Sequence, residues 1–497
     1  MPKKPTNLLL LFLGFAAILL SIHAPFLKLP FYWDELGQFV PAALDIYQHN
    51  QWIPQSTLPN IHPPGVMAYL ALTWRIFGFS IPATKVAMLL MASAGVVFSF
   101  LLAIRLSRGT PGAPAFAAVA FLLATPMFYM QSMLAELDMP AMVFTALALL
   151  LFLENRIAAC AIACTVLVLM KETAISTPFV FAMILMFRDK RIRESLYFLA
   201  PAAALGVWLV ALHHATGSWA GNEAFAKYNV SDSLTLGHIW GTLWRRGYFL
   251  FFADGLWIGA LVLFAGWRTL RSREWTVAFI VAGAQLLVVS ILGGAALDRY
   301  TQPAYPVLYA AIAAAGSTFP MSWRWTTRVA MILALLTGLW WNPPYPFSFE
   351  NNLAMVDFVE LQRAAASYLD QHAGTARIAS AWPFTDELHR PEFGYVHRPM
   401  SVRQIDDFKP ESFESLQRSD VDVLVVYCRV WGIDTIPMQW PWLREYLDKN
   451  WGMNRQASRE QIRSMLGFVP ILRWDRRGQW IEIYVPETAV ATMREAH

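Results

Sequence analysis

Charge is what this chain has least of. Only 15% of its 497 residues are Asp, Glu, Lys or Arg, against about 25% in an ordinary soluble domain. The net charge of +4 is small, and no basic run is interleaved with aromatics, which excludes a nucleic-acid-binding surface. Three cysteines, Cys160, Cys164 and Cys428, give neither a disulfide framework nor a metal cluster. Cys160 and Cys164, four residues apart in an apolar segment, read as small apolar filler. There is no glycine-rich nucleotide loop and no internal repeat. What remains is 56% hydrophobic, with 21 Trp and 33 Phe. That composition describes a polytopic membrane protein with aromatic belts at the interfaces.

About 20 apolar residues are needed to cross the hydrocarbon core. Candidate spans fall at 7–27, 82–104, 114–130, 138–153, 157–170, 174–187, 195–213, 248–267, 276–293, 300–316 and 326–341. The first resembles a signal peptide, but Ile22 replaces the small residue a cleavage site needs, so it reads as a retained helix. Basic residues occupy alternate connections: Lys3/Lys4, Arg105/Arg108, Arg156, Arg188 to Arg193, Arg268 to Arg273, and Arg324/Arg328. Because Lys and Arg accumulate on the cytoplasmic side, the N-terminus is expected inside and the C-terminus outside, with eleven crossings. The 157–187 stretch is too long for one helix and short for two. Charge parity requires a break at "KETA", which puts Lys171 and Glu172 below the outer surface, in a cavity lined by protein. Charges at such depth are functional candidates or a satisfied structural pair.

Past Trp341 the composition becomes mixed and charged, and "NPPYPF" breaks the helix. "FVELQRAAASYLDQH" and "WLREYLDKNW" read as helices. "ARIASAW" and "DVDVLVVYC" read as buried strands, and "VPILRWDRRGQWIEIYVP" as a hairpin. The expected division is therefore an all-α transmembrane domain over 1–343 and a soluble α/β domain over 344–497, outside the cytoplasm.

Unusual polar residues gather in the outward connections. "FYWDELGQFVP" places Asp34 and Glu35 at or just before a helix start, because Pro41 fits only a first turn. Being consecutive, they cannot share a helical face. Glu136 and Asp138 precede Pro140 in "ELDMPA". Either Asp34 or Asp138 could simply be an N-cap. Later connections supply Arg245, Arg246, Arg299 and Tyr300, for which snorkelling and belt positions are the plainer readings. Acids in the first two outward loops and cations in the later ones suit a hydroxyl acceptor activated by a carboxylate, with an anionic leaving group held by Lys and Arg.

"DE" after the first helix, the "PP" pair in "HPPG", "ELDMP", "KETA" and "RYTQPAYP" occur in an order that resembles the GT-C membrane glycosyltransferases of the protein O-mannosyltransferase and aminoarabinose-transferase type. The resemblance covers residues 1 to about 343. It implies a sugar donor on a polyprenyl phosphate and inverting transfer to a glycan, lipid or protein acceptor outside the cytoplasm. It carries the family's first-loop acid onto Asp34, beside Glu35, and its second acidic motif onto Glu136 and Asp138. His62 stands where aminoarabinose transferases typically carry Lys, making it a candidate for acceptor or donor recognition. Lys171, Arg299, Tyr300, Arg245 and Arg246 are candidates for the donor phosphate. The family is not uniform in its use of metal, so a divalent ion is left open. A transporter or flippase for a lipid-linked saccharide is the competing reading, although the paired half-repeats of transporters are not evident.

Overall fold

The computed structural model describes residues 5–341, 350–414, 416–429, 439–451 and 456–489. Lys3, Lys4 and the "NPPYPF" break lie outside them. The chain forms two compact units. One comprises Met1–Leu27 with Gln38–Trp341, and the other Lys28–Gly37 with Asn342–His497.

The first unit is helical, and helix occurs in each of the eleven apolar stretches. Among the described residues four helices are long and apolar enough to cross a membrane alone: Thr6–Phe26, Ile81–Leu106, Ile192–Thr216 and Arg273–Ile291. Leu236–Phe251 and Ala253–Leu270 make a fifth if that pair, bent by 44°, is one span. The sequence expected a continuous helix over 248–267. The break arises because Asp254 and Gly255 take φ of 51° and 80°, a left-handed conformation that ends a helix. The 114–130 stretch is likewise divided at Thr125, because Pro126 has no N–H to continue the ladder.

Burial in this unit is inverted relative to a soluble protein. Phe264, Leu261, Val207, Val210, Phe116 and Ile162 are exposed, a surface suited to lipid rather than water. The helix Tyr305–Gly316 is buried on every side, as its apolar, alanine-rich sequence requires. It packs on Pro114–Ala124, while Asp138–Leu153 packs between Ile81–Leu106 and Ile157–Met170.

The second unit holds a five-stranded sheet: β1 (Ile378–Ala381), β2 (Val402–Ile405), β3 (Val423–Tyr427), β4 (Phe468–Arg476) and β5 (Gln479–Pro486). Their order is β2-β1-β3-β5-β4. β1 pairs parallel with β2 and β3, whereas β5 runs antiparallel to β3 and β4. The helix Ala354–His372 packs on β5 and β4, and Phe358, Leu361, Ala365 and Leu369 are among its buried residues. β2 escaped the sequence reading because its four residues, VRQI, carry only an edge strand's weak pattern.

Candidate active site

The first unit's polar centre begins at "HPPG". Two prolines fix the entry to the helix Gly65–Phe77, and Gly65 lies so close to the helix Ile157–Met170 that a Cβ would sit 2.3 Å from the Leu169 carbonyl oxygen. Only glycine permits that approach. It brings His62 beside "KETA", where the helix stops at Met170, Lys171 takes an extended conformation and a single 3-10 turn covers Glu172–Ile175. His62 Nδ1 lies 2.9 Å from Glu172 Oε2. Lys171 does not pair with its neighbour Glu172. Its ammonium donates to Asp138.

Asp138 is the first residue of the helix Asp138–Leu153, whose N-cap position is taken by Leu137 without any side-chain capping bond. The Asp138 carboxylate is held between two cations: Lys171 on one oxygen, and Arg299 Nε at 3.2 Å from the other. Arg299 Nη1 also lies 2.7 Å from Glu136 Oε1. These side chains are all under a tenth exposed. Ion pairing thus accounts for Asp138 better than capping does.

Tyr300 stands at the centre of the cations. The Lys171 ammonium lies 4.1 Å from its ring centroid, and the guanidinium carbons of Arg246 and Arg299 lie 5.5 and 5.9 Å away. Arg245 and Arg246 were expected in a long loop, but they lie on the helix Leu236–Phe251. That helix turns its polar side inward. His238 Nε2 meets the Gly293 carbonyl at 3.1 Å, and Arg246 donates to the Val289 carbonyl at 2.9 Å. Leu236, Trp240, Trp244 and Tyr248, spaced four apart, face outward. Arg245 grips Asp298 with both Nε and Nη2, at 2.8 and 3.1 Å, and remains the most exposed cation of the group.

Asp34 and Glu35 belong to the second unit. A tight turn carries them: Glu35 N–H donates to the Tyr32 carbonyl at 2.9 Å, and Tyr32 N–H donates back to Glu35 Oε2 at 2.9 Å. Trp33 inside the turn takes φ of 42°, a conformation a bulky side chain adopts only when held there. A π-helical turn, Glu35–Phe39, follows. Glu35 is fully buried and serves the turn, while Asp34 is half-buried. The two acids therefore divide their roles, as consecutive positions require.

The sequence matches no protein-family model and no curated protein. Solved structures share its fold. The chain is similar over nearly its whole length to ArnT from Cupriavidus metallidurans bound to undecaprenyl phosphate, with a TM-score of 0.59 and 14% identity, covering 97% of this chain and 98% of that one. The apo state of the same protein gives 0.58 at 14% identity, covering 96% and 98%. The Archaeoglobus fulgidus oligosaccharyltransferase complex with Zn and sulfate gives 0.49 at 14% identity, covering 84% and 68%.

Proposed function

We propose that this protein is an integral membrane glycosyltransferase that moves a sugar from a polyprenyl-phosphate donor to an acceptor outside the cytoplasm. The observation that carries the reading is the set of cations gathered round Tyr300 and braced by buried carboxylates, inside a unit whose outer surface is apolar. Support comes from the shared fold, one neighbour of which is described with undecaprenyl phosphate bound.

In this reading the acceptor hydroxyl attacks the sugar's anomeric carbon while the bond from that carbon to the phosphate oxygen breaks. Asp34 takes the hydroxyl proton, and attack opposite the leaving group inverts the anomeric centre. Polyprenyl phosphate departs with an added negative charge. Lys171, Arg299 and Arg246, grouped with Tyr300, and Arg245, held on Asp298, meet that charge where a fixed cation acts far more strongly than in water. Glu136 and Asp138 hold these cations in place, and Glu35 holds the Asp34 turn. His62, oriented by Glu172, contacts donor or acceptor. The N-terminus lies in the cytoplasm, the chain crosses eleven times, and residues 344–497 lie outside and shape acceptor access. Transfer measured with and without EDTA decides whether a metal ion takes part.

Proteoliposomes carrying a polyprenyl-phosphate sugar on the exposed leaflet test the reading. Transfer of sugar to acceptor without movement of the lipid between leaflets is expected. Movement without transfer makes the protein a flippase.

A further inference from the structure

The second unit contains a device that bears on Asp34. Both backbone groups of Phe31 are bonded to the turn 391–395. Its N–H donates to the Phe393 carbonyl at 3.2 Å, and its carbonyl accepts from the Tyr395 hydroxyl at 2.8 Å. Aromatic rings close over the same few residues. Phe31 meets Phe393 edge-on at 6.4 Å, and Tyr32 meets Phe358 at 6.0 Å. Trp33 meets Trp382 at 5.1 Å and Phe358 at 6.1 Å. Gly37 completes the fit from the far end, since a Cβ there would stand 2.6 Å from the Trp382 ring. Every one of these partners lies in the sheet-bearing unit.

Tyr395 is buried, and its one hydroxyl proton goes to the Phe31 carbonyl.

We infer that Tyr395 is a positioning residue that fixes the turn bearing Asp34, its hydroxyl donating to the Phe31 carbonyl while the surrounding rings close over the segment. The inference rests on the glycosyltransferase reading only in calling Asp34 the base. The soluble unit is then more than an acceptor guide, because it holds the catalytic carboxylate itself. Removing residues 344–497 abolishes transfer even to water or a simple alcohol.

Hydrogen exchange of the full-length protein in nanodiscs, read by mass spectrometry over 31–37, tests this independently of activity. The amides of Phe31, Tyr32, Glu35, Leu36 and Gly37 are all bonded within this arrangement. Tyr395→Phe is expected to speed their exchange while β1 and β3 stay protected. In the transfer assay Tyr395→Phe lowers kcat by about ten- to a hundredfold, the scale of a slight misplacement, with donor KM little changed. Faster exchange in a protein whose wild type transfers no sugar upholds the positioning and defeats the enzyme reading. Unchanged exchange over 31–37 in Tyr395→Phe overturns the inference. If that variant loosens the whole sheet, Gly37→Ala decides the matter, since it presses on Trp382 from the segment's own side: unchanged exchange over 31–37 there overturns the inference as well.

Discussion

The polar centre of the helical unit and the surface pairs of the sheet-bearing unit treat charge in opposite ways. In the helical unit, Lys171, Arg299, Glu136 and Asp138 are each under a tenth exposed and paired with one another. In the sheet-bearing unit, Arg377 with Asp422 and Arg463 with Glu487 stand about half exposed. Water screens and solvates the second kind, so each pair contributes little. A pair sealed among apolar helices loses its hydration, and its partners depend on each other for compensation. Buried charge at such a cost makes this cluster the candidate site of the first unit. Solvated pairs in the second decorate a fold that hydrophobic packing sustains.

The largest effects are expected at the residues that break this contrast. Asp34, in the sheet-bearing unit, is the one carboxylate there to which the proposal gives chemistry. Asp34→Asn should cost about a hundred- to ten-thousandfold in kcat, the usual loss of a positioned base, with expression and donor binding kept. Near-normal turnover of the purified variant would remove Asp34 from the mechanism. Next comes Arg299→Met, which deprives Glu136 and Asp138 of a shared partner. Breaking a buried pair from one side costs about 3–5 kcal/mol, so both thermal stability and donor affinity should fall. Arg191→Met, on the cytoplasmic side in the proposed topology and paired only with Glu194 and Asn155 among the described hydrogen bonds, should change neither. Equal effects of the two substitutions would erase the distinction.

Much of this was legible in the sequence, and the exceptions share a cause. Hydropathy located helix in all eleven stretches, and "KETA" was recognisable as a break because 14 residues of helix rise only about 21 Å. β1, β3 and the terminal hairpin were readable from runs of β-branched and aromatic residues. Which acid meets which cation was not readable. Lys171 passes over the adjacent Glu172 to reach Asp138, and Glu172 takes His62, because the approach of "HPPG" to "KETA" is a tertiary event. Gly65 was its one trace in the sequence. Likewise nothing local to 28–37 announced that it would pack with a domain starting some three hundred residues later. Its three aromatics, Phe31, Tyr32 and Trp33, looked like an interfacial belt. Tyr395 was missed for the same reason: it is a lone residue in an unremarkable turn until Phe31 arrives.

Glu387 offers a smaller effect with a definite sign. Its carboxyl is held well above the usual carboxylate range by burial, with Asp386 nearby adding to the shift. The folded protein therefore keeps a proton that the unfolded chain releases near pH 4.3. Stability from this group is fully present below that pH and is lost as pH rises toward the folded value. Glu387→Gln has no proton to lose. Its melting temperature relative to wild type should climb steadily as pH is raised from 5 to 9. A difference independent of pH would mean that Glu387 is ionised in the native state.

The smallest effect belongs to Arg377 and Asp422, and it closes the contrast from the solvated side. Asp422 accepts from Arg377 three times, from the backbone N–H at 2.8 Å and from Nε and Nη2 at 3.1 and 2.8 Å. These bonds hold its carboxyl down at about 2, below the ordinary value of about 3.9. The sign is now opposite to that of Glu387. The contribution is present above about pH 4 and disappears as pH falls toward 2. Geometry alone would make this the best pair in the unit, since it ties the approach to β1 to the approach to β3. Yet both side chains are about half exposed, so solvent competes for every bond. Arg377→Ala should therefore lower the melting temperature by no more than about 2–4 °C, and by nothing measurable once Asp422→Asn is already present. The same double-mutant cycle on Arg299 and Glu136 should give a coupling several times larger. Coupling at the exposed pair equal to that at the buried pair would show that burial, on which the whole reading of the polar centre depends, is not what sets the strength of these contacts.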